Sequence, residues 1–209
     1  GEFIALLDAD DKYHPKKLQE HITFLNEHPE IGVSYNSRFE MDVDGRIFGH
    51  WPVAPSVGLP EFVLGFPFGP SDMIIRREWI FKVDLFDESY VHFSEDLDIY
   101  CRLALGGCQF GGLTQALNYR RYYAGRIITQ AFERANAAVC ALETVFADPR
   151  CPADILALRN QALGKTYLIW SHEAFLNNQT ELGQEYIRKA LELDPSFLEN
   201  KADKLFEFI

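Results

Sequence analysis

An apolar segment that ends in acids constrains the fold of this chain more than any other feature. Residues 3–7 read Phe-Ile-Ala-Leu-Leu, and Asp8, Asp10 and Asp11 follow directly. The run has strand length, and polar side chains at the end of a strand in an open α/β sheet often form a ligand site. Carboxylates at alternate positions also suit a divalent cation that carries a phosphate group. The alternative is a polar turn whose acids cap the next helix.

The residues after the acids predict a helix. Tyr13, His14 and Pro15 come first, and a proline is favourable at a helix start because its missing N–H would have no partner there. One apolar face of this helix, which ends near Glu27, is predicted from Leu18, Ile22 and Leu25.

This order of residues resembles the acidic motif of family 2 glycosyltransferases, in which an aromatic residue, a proline and a basic-Leu helix start follow the acids. The resemblance implies that Asp8 and Asp10 bind Mn²⁺ or Mg²⁺ and the diphosphate of a nucleotide sugar. Asp11 is then a third metal ligand or a supporting acid behind the ligands. The segment Asp84-Leu85-Phe86-Asp87-Glu88 also resembles the family, except that Leu85 stands where the family usually has glycine.

A second acidic cluster begins at Ser94 and includes Glu95, Asp96 and Asp98. Serine is a favourable N-cap, and an apolar stripe then predicts a helix that ends at Gly106-Gly107. The cluster resembles the Glu-Asp element of the family, which implies that Asp96 is the general base that takes the proton of the acceptor hydroxyl. The alternative is that these acids only complement the helix macrodipole.

Basic residues follow the next predicted strand, residues 109–117. By the same resemblance Arg120 or Arg121 contacts the diphosphate, although Tyr122 stands where the family often has histidine. The alternative is a solvated basic linker between two domains.

Composition excludes several classes of function. The formal net charge of −11 argues against general binding to nucleic acid. The chain has no apolar stretch of transmembrane length and no signal pattern, so we expect a cytoplasmic protein, with the inner membrane face as an alternative location. Four widely spaced cysteines without a C-x-x-C pair predict reduced, mostly buried thiols.

The predicted fold is α/β with an α-helical region after it. Residues 1–124 resemble the second half of an A-type glycosyltransferase domain, and residues 125–209 are predicted to be helical, with a final part that resembles a single tetratricopeptide repeat. We expect the family's first half to be missing, which predicts weak nucleotide-sugar binding and an inactive chain. The open sheet edge or the helical region then offers a surface for a homo-oligomer.

The resemblance implies an inverting glycosyltransferase that moves a sugar from a nucleotide sugar to a hydroxyl of a glycan, a lipid-linked sugar or a protein. The irregular loop from Trp51 to Pro70 is expected on the acceptor side. Two other classes stay open. A non-catalytic helical-repeat module would bind partners through its helices, and a metal-dependent phosphotransferase would need a nucleophile and a phosphate loop that the sequence does not show.

Overall fold

The computed structural model describes residues 1–90, 94–122 and 131–198. Six strands are present in this part of the chain: β1 (Phe3–Ala5), β2 (Lys12–Tyr13), β3 (Ile31–Met41), β4 (Ile47–Trp51), β5 (Met73–Arg76) and β6 (Gln109–Arg121). The helices are α1 (Lys17–Glu27), α2 (Leu59–Leu64), α3 (Arg77–Lys82), α4 (Glu95–Leu105), α5 (Ala131–Ala147), α6 (Ala153–Leu156), α7 (Arg159–Leu176) and α8 (Thr180–Leu193).

The chain divides into two compact units. The first comprises Gly1–Phe62, Phe66–Glu88 and Asp96–Arg126, and the second comprises the remaining segments, chiefly Ile127–Ile209. The first unit is mixed α/β and the second is helical in the residues that the structure describes. The predicted boundary between residues 124 and 125 lies outside those residues.

The sheet of the first unit is mixed rather than parallel. Its strand order is β1-β5-β3-β6-β2, and β4 pairs with β3 as well. Only β3 and β6 run parallel among the described strands, whereas β1 and β3 both pair antiparallel with β5. The strand β5 therefore runs in the opposite direction to both of its neighbours.

The helix α1 buries a different face from the one that its apolar residues predict. Leu25 is fully buried as expected, but Leu18 and Ile22 are exposed. Lys17 and His21 lie on the buried face instead, each with 0% exposure. The prediction failed because both polar side chains find hydrogen-bond partners under the helix, which removes the usual cost of burying them.

Two glycines allow tight turns in the first unit, and one of them confirms the predicted helix end at Gly106-Gly107. Gly45 has a φ of 82° between β3 and β4, and Gly107 has a φ of 85° just after α4. Both values lie in the left-handed region that glycine adopts without strain. Ser94, in contrast, precedes α4 with a φ of 69°, so it does not have the extended backbone of the predicted N-cap.

The irregular loop contains a short helix and an aromatic anchor. The helix α2 interrupts the segment from Trp51 to Pro70, and the Phe68 ring packs 4.5 Å from Tyr35 and 4.8 Å from Tyr100 between ring centroids. Phe62 joins the same cluster at 5.7 Å from Phe68. The loop is therefore fixed to the core of the first unit just before β5.

The second unit packs α7 against both α5 and α8. Tyr167 of α7 and Tyr186 of α8 lie 5.4 Å apart between ring centroids. Four of the buried residues of α5 are alanines, whose small side chains let helices approach closely, and Phe132 is exposed. The predicted start of the helical pattern, at about Ile127, lies outside the described residues.

All four cysteines are free, with Cys101 and Cys108 buried, Cys151 half-buried and Cys140 exposed. None of the helices described by the structure has both the length and the apolar character needed to cross a bilayer.

Candidate functional site

A cavity of about 120 Å³ in the first unit brings together acids from the two motifs. It lies beside the 3₁₀ turn that precedes β5, and Phe66 and Phe68 of the irregular loop form part of its wall. Its charged lining consists of four carboxylates and two guanidinium groups, those of Asp8, Asp11, Asp72, Asp96, Arg38 and Arg120. A larger, open cavity of about 410 Å³ near Phe81 holds none of the predicted site residues.

Hydrogen bonds to neighbouring elements fix the backbone of the acidic loop. The Asp8 N–H donates to Ser71 Oγ at 3.0 Å, and the Asp11 N–H donates to the Asp8 carbonyl at 3.1 Å. The Tyr13 hydroxyl donates to the Leu6 carbonyl just before the loop. Burial, followed by the charges of Asp8, Asp72 and Asp11, raises the pKa of Tyr13 to about 12. Tyr13 therefore keeps its proton and acts as a donor that holds the end of the first strand.

Arg121 holds this loop from the opposite side. Its backbone N–H donates to Asp11 Oδ1 at 3.1 Å, and its Nε donates to the Asp10 carbonyl at 3.1 Å. Its Nη1 donates to the carbonyls of Asp42 and Val43 at 3.1 and 2.8 Å. Arg121 thus connects the acidic loop to the turn between β3 and β4. Neither Arg121 nor Asp10 lines the cavity.

Arg120 lies on the cavity side of the same strand end. Both arginines belong to β6, which extends to Arg121, so the alternative of a solvated basic linker at these positions is wrong. The parallel pairing of β6 with β3 places Arg120 beside Glu40. Arg120 therefore lines the cavity, whereas Arg121 holds the backbone of the acidic loop. A diphosphate contact by Arg120 stays a prediction.

The helix α4 positions the predicted base. Asp96 is the second residue of α4 and lines the cavity together with Asp8. Its Oδ1 accepts a hydrogen bond from the Leu97 N–H at 2.8 Å. The rest of the helix is anchored by Leu97, Ile99 and Cys101, all of which are buried. A first-turn carboxylate on an anchored helix is held in place and its negative charge is favoured by the macrodipole.

The cavity wall contains a buried ionic group that was not predicted from the sequence. Arg38 donates from Nη1 to Asp72 Oδ2 at 2.8 Å and from Nε to Glu40 Oε1 at 3.0 Å. Burial lowers the pKa of Arg38, but the adjacent carboxylates of Asp72 and Glu40 raise it further, so the net shift is upward and Arg38 stays charged. The available signal was a run of polar residues, 36–38, inside a strand that must be buried.

A second buried polar group lies behind this wall, under α1. His21 Nε2 lies 2.7 Å from Asn36 Oδ1, and His21 Nδ1 lies 2.7 Å from Ser34 Oγ. Lys17 Nζ donates to the Asp72 carbonyl at 2.9 Å and also to Asn36. Burial, and then the Lys17 charge, lower the pKa of His21 to about 3, so the ring is neutral, with Nε2 as donor and Nδ1 as acceptor.

The charge balance of the cavity limits what it can bind. Four carboxylates and two guanidinium groups leave an excess of two negative charges, which repels a diphosphate unless a cation accompanies it. Within the described residues, no three acidic, histidine or cysteine side chains are arranged to enclose a metal ion. Asp8 and Asp11 supply two carboxylates, which is the number that Mg²⁺ takes from a protein when phosphates provide the remaining ligands.

Comparison with known proteins gives one similar sequence. AmsB from Erwinia amylovora, described as an amylovoran biosynthesis glycosyltransferase, is 29% identical to this chain over 130 residues. The alignment covers 57% of this chain and 42% of AmsB, so the chain spans less than half the length of that relative. No family model matches the chain.

Solved structures with a similar fold come from TarS of S. aureus. TarS 1-349 in complex with UDP-GlcNAc superposes with a TM-score of 0.55 at 15% identity, over 95% of this chain and 68% of that one. A longer TarS structure gives a TM-score of 0.54 at 15% identity, over 94% of this chain and 40% of that one. An identity this low supports a shared fold and nothing more. Together with the likeness to AmsB, it shows that this chain has a glycosyltransferase fold.

Proposed function

We propose that this chain carries the catalytic acids of an inverting, metal-assisted glycosyltransferase that moves a sugar from a nucleotide sugar to an acceptor hydroxyl. The observation that carries the proposal is the cavity in which Asp8 and Asp11 of the first acidic motif lie with Asp96 of the second. The two motifs are far apart in the sequence, and a chance pair of acidic turns has no reason to share one cavity.

Asp96 is the proposed general base. A base must be ionised before reaction and must lie within reach of the acceptor hydroxyl. The first turn of α4 favours the charged carboxylate, and the cavity gives it access to a small ligand. Attack by the activated hydroxyl on the face opposite the departing diphosphate inverts the anomeric carbon.

A divalent cation, Mn²⁺ or Mg²⁺, is part of the proposal. When bound, it would neutralise charge on the departing diphosphate. Asp8 would hold it together with a second carboxylate. The cavity lining favours Asp11 for that role, whereas the sequence resemblance favours Asp10. Arg120 would contact the diphosphate directly, since a guanidinium group matches phosphate geometry.

The donor is proposed to be a nucleotide sugar, and TarS, which was crystallised with UDP-GlcNAc, supports UDP-sugars as the first to test. The acceptor is proposed to be a hydroxyl of a glycan, a lipid-linked sugar or a protein. The helices of the second unit are proposed as a tetratricopeptide-like region that binds a partner or a second copy.

The test is donor binding by the full-length protein. Calorimetric titration with UDP-GlcNAc, UDP-glucose, UDP-galactose and GDP-mannose, each with and without Mn²⁺, should show one preferred donor whose binding needs the cation. The Asp8→Asn variant should weaken that binding at least about tenfold, because it removes one charge next to a hard cation. Asp44→Asn is the matched control, since it removes the same charge from an exposed turn outside the cavity.

Two results would contradict the proposal. One is the absence of cation-dependent binding for every donor. That result would leave the non-catalytic interaction module as the better explanation. The other is equal binding by Asp8→Asn and Asp44→Asn, which would show that Asp8 does not hold the cation. Asp10→Asn and Asp11→Asn are measured in the same titration. The variant whose donor binding no longer depends on the cation identifies the second carboxylate that holds the metal.

A further inference from the structure

Asp72 is a buried carboxylate in the cavity wall whose two oxygens are both occupied. It is 1% exposed, and Oδ2 accepts hydrogen bonds from Arg38 Nη1 at 2.8 Å and from the Gly69 N–H at 2.7 Å. Oδ1 accepts from Asn118 Nδ2 at 2.8 Å. A carboxylate with three donors is poorly suited to take a proton or to bind a cation, because it would first have to give up a partner.

The group that Asp72 holds is suited to ligand contact. Arg38 also lines the cavity, its side chain is 6% exposed, and Glu40 fixes its Nε. The guanidinium carbon lies 5.0 Å from the centroid of the Trp51 ring. Within the described residues, the hydrogen bonds to Asp72 and Glu40 use two of the five N–H donors of Arg38. The remaining donors form a fixed fork that matches phosphate or sugar oxygens.

The same short segment also supports the acidic loop. Ser71, next to Asp72 in the 3₁₀ turn, accepts the hydrogen bond from the Asp8 N–H at 3.0 Å. From below, Lys17 Nζ donates to the Asp72 carbonyl at 2.9 Å. Contacts from α1, β3, β6 and the acidic loop therefore all meet at residues 71 and 72.

Stability alone is a weak reason to bury such an ionic group. Replacing a buried ion pair with apolar side chains of similar volume is often neutral or stabilising, since the desolvation of both charges offsets their attraction. Removing one partner, in contrast, leaves the other charge buried without compensation. The position of the group in the wall of the cavity offers the better explanation.

We infer that Asp72 is a positioning residue for the donor: it fixes the Arg38 guanidinium group in the cavity wall. This inference deepens the function proposed above and rests on it. Arg38 contacts an oxygen of the donor, and Asp72 acts through Arg38.

The first experiment separates positioning from stability. Asp72→Asn in the full-length protein should raise the donor Kd about tenfold or more, which is the effect of losing a hydrogen bond to a charged group. The probe is UDP-GlcNAc with Mn²⁺, or the donor that the titration series selects. The matched control is Val33→Ala, which removes buried volume from the same strand as Arg38 but does not line the cavity. Both variants should lower Tm, and only Asp72→Asn should change the Kd.

The second experiment is a double-mutant cycle with Arg38→Met. If Asp72 acts through Arg38, the double variant should bind the donor no more weakly than Arg38→Met alone. If the two residues act independently, their effects on Kd should multiply, and that result would overturn the inference. Equal Kd values for Asp72→Asn and Val33→Ala would overturn it as well.

A third variant keeps the test decisive if Asp72→Asn does not fold. Arg38→Lys preserves the positive charge but cannot hold Asp72 and Glu40 with one rigid fork. It should therefore raise the donor Kd while Tm falls no further than in Val33→Ala, and an unchanged Kd would reject the inference. Failure of the wild-type protein to bind any donor would instead reject the proposed function, so the two failures are distinguishable.

Discussion

At the scale of single residues, Asp96 has two competing explanations. It lies in the first turn of α4, where any acid complements the macrodipole, and it also lines the cavity with Asp8. The two explanations differ in what the loss of its charge should change. A base affects turnover, whereas a helix-start acid affects only the free energy of unfolding.

We predict that Asp96→Asn lowers kcat by about 10²–10⁴ and leaves donor affinity close to that of the wild type. Steady-state turnover and calorimetric donor binding measure the two quantities. The matched control is Glu78→Gln, which removes an acid from the first turn of α3, away from this cavity. A change of only about 0.3–1 kcal/mol in unfolding free energy, with normal turnover, would favour the helix-start explanation.

A second residue-scale feature is Leu85, which has a φ of 65°. The family that this sequence resembles usually has glycine at this position, and the left-handed backbone explains why. A leucine in that conformation costs about 1–2 kcal/mol, and Leu85 is 45% exposed, so little buried area depends on it.

We predict that Leu85→Gly raises the free energy of unfolding by about 0.5–1 kcal/mol, as the relief of strain exceeds the entropy that glycine adds to the unfolded chain. Urea denaturation measures the change. Leu18→Gly, at an equally exposed leucine inside α1, should instead lower stability by about 1 kcal/mol. A loss of stability in both variants would show that the backbone at position 85 is not strained.

At the scale of elements, α1 is defined by the polar side chains that it buries. His21 is neutral in the folded chain because burial and Lys17 lower its pKa to about 3. In the unfolded chain its pKa returns to about 6.5. Between these values the unfolded state binds a proton that the folded state does not, so stability falls as the pH falls from about 6.5 towards 3.

We predict that His21→Gln reduces the decrease in the free energy of unfolding as the pH falls below about 6.5. The wild type should lose up to about 1.4 kcal/mol per pH unit from His21 alone, and the variant should lack that contribution. Urea denaturation at pH 7, 5.5 and 4.5 provides the measurement. His50→Gln, at an exposed histidine on β4, is the control and should keep the wild-type slope. An identical slope for His21→Gln would mean that His21 is not held neutral.

Sequence patterns predicted most elements but not the polar interior. The helix after Pro15, the end of α4 at Gly107 and the strand β6 follow from local turn chemistry and apolar runs. The buried face of α1 could not be predicted, because the partners that make Lys17 and His21 tolerable lie on other elements, β3 and the 3₁₀ turn before β5. The same holds for Arg38 and Asp72, whose pairing depends on the order of strands in the sheet.

At the scale of the whole molecule, the sheet edge at β1 is the surface most suited to another chain. The strand has three residues, it pairs on one side with β5, and Ala5 and the nearby Leu7 are exposed. Edge strands tend to pair with other strands unless a charge or a proline protects them. Self-association through this edge stays a prediction.

We predict that Ala5→Lys makes the isolated chain more monomeric, since a lysine on an edge strand opposes pairing. Sedimentation velocity over a range of concentrations measures the distribution of species. Ala153→Lys, which adds the same charge at an exposed alanine of α6, is the control and should leave the distribution unchanged. If both lysines act alike, net charge rather than the edge governs association.

The bonds of Arg121 have a consequence for how this sequence can vary. Its guanidinium group donates to three main-chain carbonyls, those of Asp10, Asp42 and Val43. Every amino acid carries such a carbonyl, so homologous chains can exchange the side chains at those three positions and keep the link. The arginine itself has no such freedom, because no other side chain reaches two separate loops with a planar set of donors. In an alignment, position 121 should therefore vary less than the three positions that it contacts.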